Sequence, residues 1–238
     1  MNCSTLPSLV QGLLLDLDGT LVNTEILHFA STNRVLEKHG HRLELEEFNS
    51  LIGWAEKPFW NKLRECYGIP EAISSLTKQR THEFLDLLQN SAIEPLPGVL
   101  TLLERLQQLK IPRAVASNSP RDQIACIAES SGLSHQIPIW FSGLDDVKRG
   151  KPDPDVYIAA ARALGLPPQR CVALEDSSSG VAAARAAGAF VIAVPCASHL
   201  DPNLDAAHLK LTSLSELLPL IEPTLSSPRR GENRVGSA

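Results

Sequence analysis

The chain has 238 residues, 43% of them hydrophobic and 21% charged, which suits one large domain or a core with a modest insertion. A formal net charge of −5 leaves no general basic field for capturing nucleic acid or anionic lipid. Five scattered cysteines, Cys3, Cys66, Cys126, Cys171 and Cys196, are odd in number and contain no C-x-x-C pair. They argue against a disulfide framework or a zinc site and fit buried thiols in a reducing cytoplasm.

In chain order, the apolar run at residues 12–17 ends in the turn signal Asp18-Gly19 and is short enough for a fully buried strand. Asp16 and Asp18 interrupt it, so neither a signal-peptide core nor a membrane span is expected there, and no later run is long enough. From Glu25 to about Asn90 the apolar positions recur at helix spacings, as in Phe59 and Leu63 or Phe84, Leu85 and Leu88, which predicts a helical insert. Beyond Pro95 and Pro97, helices expected at 98–109, 120–130, 153–164 and 179–187 alternate with strands expected at 113–116, 139–141, 171–174 and 190–194. That alternation predicts an α/β fold with a doubly wound parallel sheet covered on both faces. Residues 222–238 have almost no apolar content and predict a disordered tail.

Carboxylates cluster at the predicted strand ends: Asp16 and Asp18 after the first, Glu175 and Asp176 after a later one. Ligands of open parallel sheets bind at carboxyl ends. Residues two apart on an extended chain share a side, so Asp16 and Asp18 crowd like charges unless a cation sits between them. A hard divalent ion such as magnesium, with Asp176 as a further oxygen ligand and a substrate phosphate completing its shell, answers this economically. The alternative is that Asp18 belongs to an ordinary Asp-Gly turn. Donors for a phosphate stand at the same edge in Ser117-Asn118-Ser119, and a cation could come from Lys148, Arg149 or Lys151, among which composition does not choose.

Four segments taken together, DLDGTLVNTE from Asp16, ASNSP from Ala116, GKPDPDVY from Gly150 and ALEDSSSG from Ala173, resemble the motifs of the haloacid dehalogenase-like hydrolase superfamily, in order. The helical insert resembles the small cap of the subgroup holding beta-phosphoglucomutase and many sugar phosphatases. Within it, the chain looks most like bacterial 2-deoxyglucose-6-phosphate and hexitol phosphatases. The resemblance implies a Rossmann-like core formed by residues 1–26 and 93–221, and a cap formed by residues 27–92. It also implies a magnesium-dependent phosphatase of small sugar or sugar-alcohol phosphates, with a sugar phosphomutase as the rival.

Carried over residue by residue, Asp16 matches the nucleophile that forms an aspartyl-phosphate and Asp18 the general acid and base. Ser117, the Asn118 amide and Lys151 match phosphate-binding positions. Asp16, Asp18 through its carbonyl, and Asp176 match the metal ligands, with Glu175 a second ligand or a partner behind them. Substrate selection is expected on the cap turn around Trp54 and Lys57, whereas Phe59 and Trp60 are expected in the cap's own core. Glu56 stands near the place where a mutase of this kind carries an arginine for a distal phosphate, which counts against a mutase, with Lys57 or Arg80 as possible substitutes. His28, in the hinge entering the cap, is read as a packing residue. A true dehalogenase lacks the second acid, here Asp18, and a non-catalytic relative would be expected to lose Asp16, Asp18 or Lys151. The expected partner is a small phosphorylated molecule, with no nucleic acid or membrane, bound by a cytoplasmic monomer.

Overall fold

The computed structural model describes residues 9–52, 54, 56–194 and 203–225. Six strands form one sheet: β1 (Gly12–Leu15), β2 (Arg113–Ser117), β3 (Trp140–Ser142), β4 (Cys171–Glu175), β5 (Phe190–Ala193) and β6 (Leu209–Lys210). Their spatial order is β3-β2-β1-β4-β5-β6, and every neighbouring pair is parallel. The chain runs outward from β1 on one side, then returns to build β4, β5 and β6 on the other. The direction of winding therefore reverses beside β1, and the crevice of such a sheet lies at the carboxyl ends flanking that point.

Alternate strand residues face opposite sides of the sheet. Leu13, Leu15, Val115, Leu174 and Ile192 pack on one side with α5 (Val99–Gln108), α6 (Arg121–Ser130) and α9 (Leu217–Ile221). Leu14, Ala114, Ala116, Ala173 and Ala193 pack on the other with α7 (Asp155–Ala163) and α8 (Ser178–Ala187). The two layers are thus asymmetric, with leucines filling one side and alanines admitting close helices on the other. Truncating a fully buried side chain such as Leu15 to alanine costs about 2–5 kcal/mol.

The strands and helices lie where the alternation predicts, with shifted ends. β1 stops at Leu15 rather than residue 17, because the Asp16 amide still donates to the Leu174 carbonyl (3.0 Å) while the chain then turns, the Gly19 amide bonding back to the Val22 carbonyl (2.8 Å). β6 and α9 carry no legible pattern: two residues cannot show an alternation, and α9 holds Pro219.

Four helices follow β1: α1 (Glu25–Glu37), α2 (Leu45–Leu51), α3 (Glu56–Tyr67) and α4 (Ile73–Asn90). They enclose a separate apolar cluster that includes Val35, Leu43, Phe48, Leu76 and, as expected, Phe59 and Trp60. Leu27, Phe84 and Leu88 belong instead to the cluster under the sheet, so α1 and α4 reach from one core to the other. Arg34 of α1 and Lys38, the residue just after it, pair with Glu83 of α4 at 3.2 and 2.7 Å.

The expected tail begins too early. Residues Glu222–Thr224 form a 3-10 turn, the Val10 amide donates to the Thr224 carbonyl (2.8 Å), and Leu225 bridges Val10 and packs on the core. Sparse apolar content does not free this stretch, because Leu225 and the ion pair between Arg105 and Glu222 fasten it. Residues 226–238 lie outside the described residues, as do Gly53 and Ala55 of the turn around Trp54. Among the described residues no helix is long and apolar enough to cross a membrane.

Candidate active site

β1, β2 and β4 end side by side, since Leu15 is in register with both Val115 and Leu174. The next residues on β1 and β4 are Asp16 and the pair Glu175-Asp176, and β2 ends in Ser117; all four are buried. Oxygen atoms of Asp16, Glu175 and Asp176 lie within 4.8 Å of one another. Gly19 makes this approach possible: its φ is +83°, a region that favours glycine, and a Cβ there would overlap the Asp176 carboxylate. The Asp-Gly turn and the acidic cluster are therefore one construction, not alternatives.

Of the three cations open to choice, Lys151 enters the site. Its Nζ donates to Asp16 Oδ1 and, at 2.6 Å, to Glu175 Oε1, and its side chain is buried. Arg149 points outward and pairs with Asp153 at 3.0 Å, and Lys148 is exposed. The Asn118 side chain sets the Lys151 loop: its Nδ2 donates to the Lys151 carbonyl (3.0 Å) and its Oδ1 accepts from the Lys151 amide (2.8 Å).

Glu175 accepts from four donors. They are Lys151 Nζ, the buried Tyr157 hydroxyl, the Ser177 amide (3.4 Å) and the Ser177 hydroxyl (3.0 Å). Gly180, in the first turn of α8, is required here because a Cβ would collide with that carboxylate. So occupied, Glu175 serves as the anchor of Lys151.

Asp18 is held differently, by two hydroxyls. Thr24, the residue before α1, donates to Oδ1 (2.6 Å), and Ser119 donates to Oδ2 (2.7 Å). The Ser117 hydroxyl accepts from the Ser119 amide (3.0 Å), so the loop after β2 is tied both to its own strand end and to Asp18.

Burial pushes the Asp16 carboxyl up to about 7, against the pull of the Lys151 ammonium, with the Glu175 charge adding to the rise. Burial works against the Lys151 charge too, but Asp16 and Glu175 outweigh it and hold its pKa above the ordinary lysine range. One ammonium thus leaves the acidic cluster undercompensated. Three buried carboxylates presenting hard oxygen donors fit a divalent cation.

Asp16, Asp18, Ser117, Lys151 and Asp176 line one wall of a cleft of about 430 Å³, with Glu175 buried behind them. The facing wall is helical: Glu25 and His28 from α1, Glu56 from α3, and Arg80, Thr81 and Phe84 from α4. Burial, with the Asp18 charge, raises Glu25 to about 7; burial, with Arg80, lowers His28 to about 4, leaving a neutral imidazole stacked on Phe84 at 4.1 Å. His28 therefore both packs and faces the cleft. Trp54 and Lys57 are exposed and do not line it. A signal for the helical wall was present in the spacing, since Glu25 and His28, three apart, and Arg80 and Phe84, four apart, each share a helix face. Nothing local indicated that the two faces meet.

A parallel sheet with its acids, hydroxyls and one lysine gathered at the reversal point is the site of a Rossmann-like α/β fold. The chain belongs to the haloacid dehalogenase-like hydrolase family, whose sequence model matches residues 10–188. It is 32% identical over 213 residues to hexitol phosphatase A of Escherichia coli, covering 90% of this chain and 95% of that protein. It is also 30% identical over 214 residues to protein CbbY of Rhodobacter capsulatus, covering 87% and 94% of the two chains. The fold superposes on a crystal structure of CbbY from Rhodobacter sphaeroides, in complex with xylulose-(1,5)bisphosphate, with a TM-score of 0.73 and 27% identity, covering 88% of this chain and 96% of that one.

Proposed function

We propose that this protein is a magnesium-dependent phosphatase that hydrolyses small sugar or sugar-alcohol monophosphates through an aspartyl-phosphate. The observation that carries this reading is the placement of Asp16: buried, bonded to Lys151, beside Asp176, and two residues before a second aspartate held by hydroxyls. Asp16, Asp176 and the Asp18 carbonyl are the residues that would hold magnesium. When bound, the ion supplies positive charge that keeps the Asp16 carboxylate ionised and screens the phosphate from it.

In the first half-reaction an Asp16 carboxylate oxygen attacks phosphorus, the ester P–O bond breaks, and Asp18 gives a proton to the departing alcohol oxygen. In the second, Asp18 takes a proton from water as the water oxygen attacks phosphorus, releasing phosphate and restoring Asp16. Lys151, the Ser117 hydroxyl and the Asn118 amide stabilise the transferring oxygens, and Glu175 keeps Lys151 aimed. Residues 27–92 act as a cap over residues 1–26 and 93–221, excluding bulk water during transfer. Thr24 couples the two, being both the residue before α1 and a donor to Asp18. We place the enzyme in the cytoplasm as a monomer; Cys66, Cys126 and Cys171 are unpaired thiols, in keeping with a reducing compartment.

The test is phosphate release by purified protein across hexose, pentose and hexitol phosphates, with magnesium and after chelation. Release that chelation stops and magnesium restores is the expected result. Activity surviving thorough chelation overturns the metal assignment, and isomerisation of a sugar 1-phosphate to the 6-phosphate without release replaces the phosphatase with a mutase.

A further inference from the structure

Both walls of the cleft are rich in carboxylates, Asp16, Asp18 and Asp176 on the sheet wall and Glu25 and Glu56 on the helical one, and they differ in what else they present. The sheet wall offers the Lys151 ammonium and the hydroxyls of Ser117 and Ser119. Among the described residues lining the helical wall, Arg80 is the one cation, because His28 is neutral there.

Arg80 is already engaged. Its guanidinium donates to Glu56 Oε1 at 2.9 Å and lies 5.1 Å from the Phe59 ring centroid and 6.0 Å from that of Trp60. The same Glu56 oxygen accepts from Trp60 Nε1 at 3.2 Å. Three residues of α3, Glu56, Phe59 and Trp60, thus fix the guanidinium, and its charge is matched before any ligand arrives. We propose, resting on the phosphatase reading above, that the helical wall is a subsite for an uncharged, hydroxyl-bearing leaving group, and that Glu56, by holding Arg80, excludes substrates carrying a second phosphate.

A second phosphate brings a charge of about −1.5 to −2. On this wall it would meet Glu56 and Glu25 with one guanidinium between them, and drawing Arg80 away would leave the Glu56 carboxylate facing it uncompensated. Ionised, Glu25 repels such an anion as well. Hydroxyls fare better. The carboxylate oxygens accept from them, neutral His28 has one donor and one acceptor, and the Thr81 hydroxyl, which donates to the Thr77 carbonyl (3.0 Å), retains acceptor capacity. The stacked His28 and Phe84 rings add a flat face for the carbon skeleton of a sugar or polyol.

The experiment compares kcat/KM for a hexose 6-phosphate, a hexose 1,6-bisphosphate and p-nitrophenyl phosphate with magnesium, in the wild type and in Glu56→Gln. Binding of the two sugar phosphates to Asp16→Asn is followed by calorimetry as a readout apart from turnover. The wild type should favour the monophosphate by about tenfold or more, and Glu56→Gln should narrow that ratio by about tenfold, chiefly through a lower KM for the bisphosphate. Adding Arg80→Met to Glu56→Gln should cancel the gain. Equal or better use of the bisphosphate by the wild type, or a ratio that Glu56→Gln leaves unchanged, overturns the subsite. Phosphate release separates the two levels: where any of the three substrates is hydrolysed, those results refute the subsite alone, and where none releases phosphate under any condition the phosphatase reading falls and the subsite with it.

Discussion

Sheet wall and helical wall differ in how firmly they hold their charges. Lys151, Asp16 and Glu175 are buried, and Glu175 alone accepts four hydrogen bonds, whereas the Glu56 side chain on the opposite wall is 42% exposed and its ion pair with Arg80 faces the cleft. A buried charge with several partners cannot be moved or removed without leaving another one unpaired. A partner as exposed as Glu56 can be exchanged at less structural cost, although Arg80 itself is largely buried. The sheet wall is therefore an environment for one kind of chemistry, and the helical wall is where a single substitution can change which molecule undergoes it.

The contrast breaks first at Asp16. Asp16→Asn should lower kcat by about 10⁴-fold or more without lowering the melting temperature in chelator. Burial raises this carboxyl, so its ionised form is a folding penalty that grows as pH rises from the unfolded value of 3.8 and is complete above about 7. Metal-free wild type should gain stability as pH falls through about 7, and the variant should show a flatter profile; a variant that melts earlier at about pH 8 would contradict the assignment. Lys151→Met should lose about 10²–10³-fold in kcat. It should also lose about 3–5 kcal/mol of stability, since Asp16 and Glu175 are left without their ammonium. Denaturant melts check the second part, and an unchanged midpoint would mean the pair adds nothing net to the fold.

A finer probe is Tyr157→Phe, which takes one donor from Glu175 and keeps the ring. kcat should fall about tenfold with KM nearly unchanged, since the ring packing stays and the loosened group is Lys151. Recovery of wild-type kcat in that variant would show that the hydroxyl does not position Lys151. The smallest effect is expected from Trp54→Ala, whose exposed ring does not line the cleft: the order of preferred substrates should stay the same and individual kcat/KM values should move by less than about twofold. A reordered panel would bring the Trp54 turn into the recognition surface.

Much of the sheet wall was legible because its information is local. Asp16 and Asp18 follow an apolar run, Glu175 and Asp176 follow another, and strand periodicity alone puts such residues at carboxyl ends. The alternating helices and strands made the parallel sheet legible for the same reason. Composition did not separate Lys151 from Lys148 and Arg149, and only the motif resemblance picked it, because what distinguishes it physically is an ion pair to a residue 135 positions earlier in the chain. The role of Asn118 was likewise hidden: its side chain clamps the backbone of Lys151, 33 residues away. At the chain's end, low apolar content suggested release, whereas Leu225 beside Val10, together with the Arg105–Glu222 ion pair, retains residues 222–225.

By itself, the sequence determined the kind of sheet, the strand ends that carry acids, the helical character of the insert and the family to which the chain belongs. The first three follow from periodicity and short-range spacing, which the backbone geometry of strands and helices converts directly into faces and ends, and the family follows from the resemblance of its four motifs. Tertiary structure alone decided that Lys151 is buried between Asp16 and Glu175, that Glu175 anchors it, and that Glu56 on α3 holds Arg80 on α4 across 24 residues. Those outcomes depend on which helices and loops pack against one another, and a side chain's charge has no address in the sequence until the fold supplies its partner.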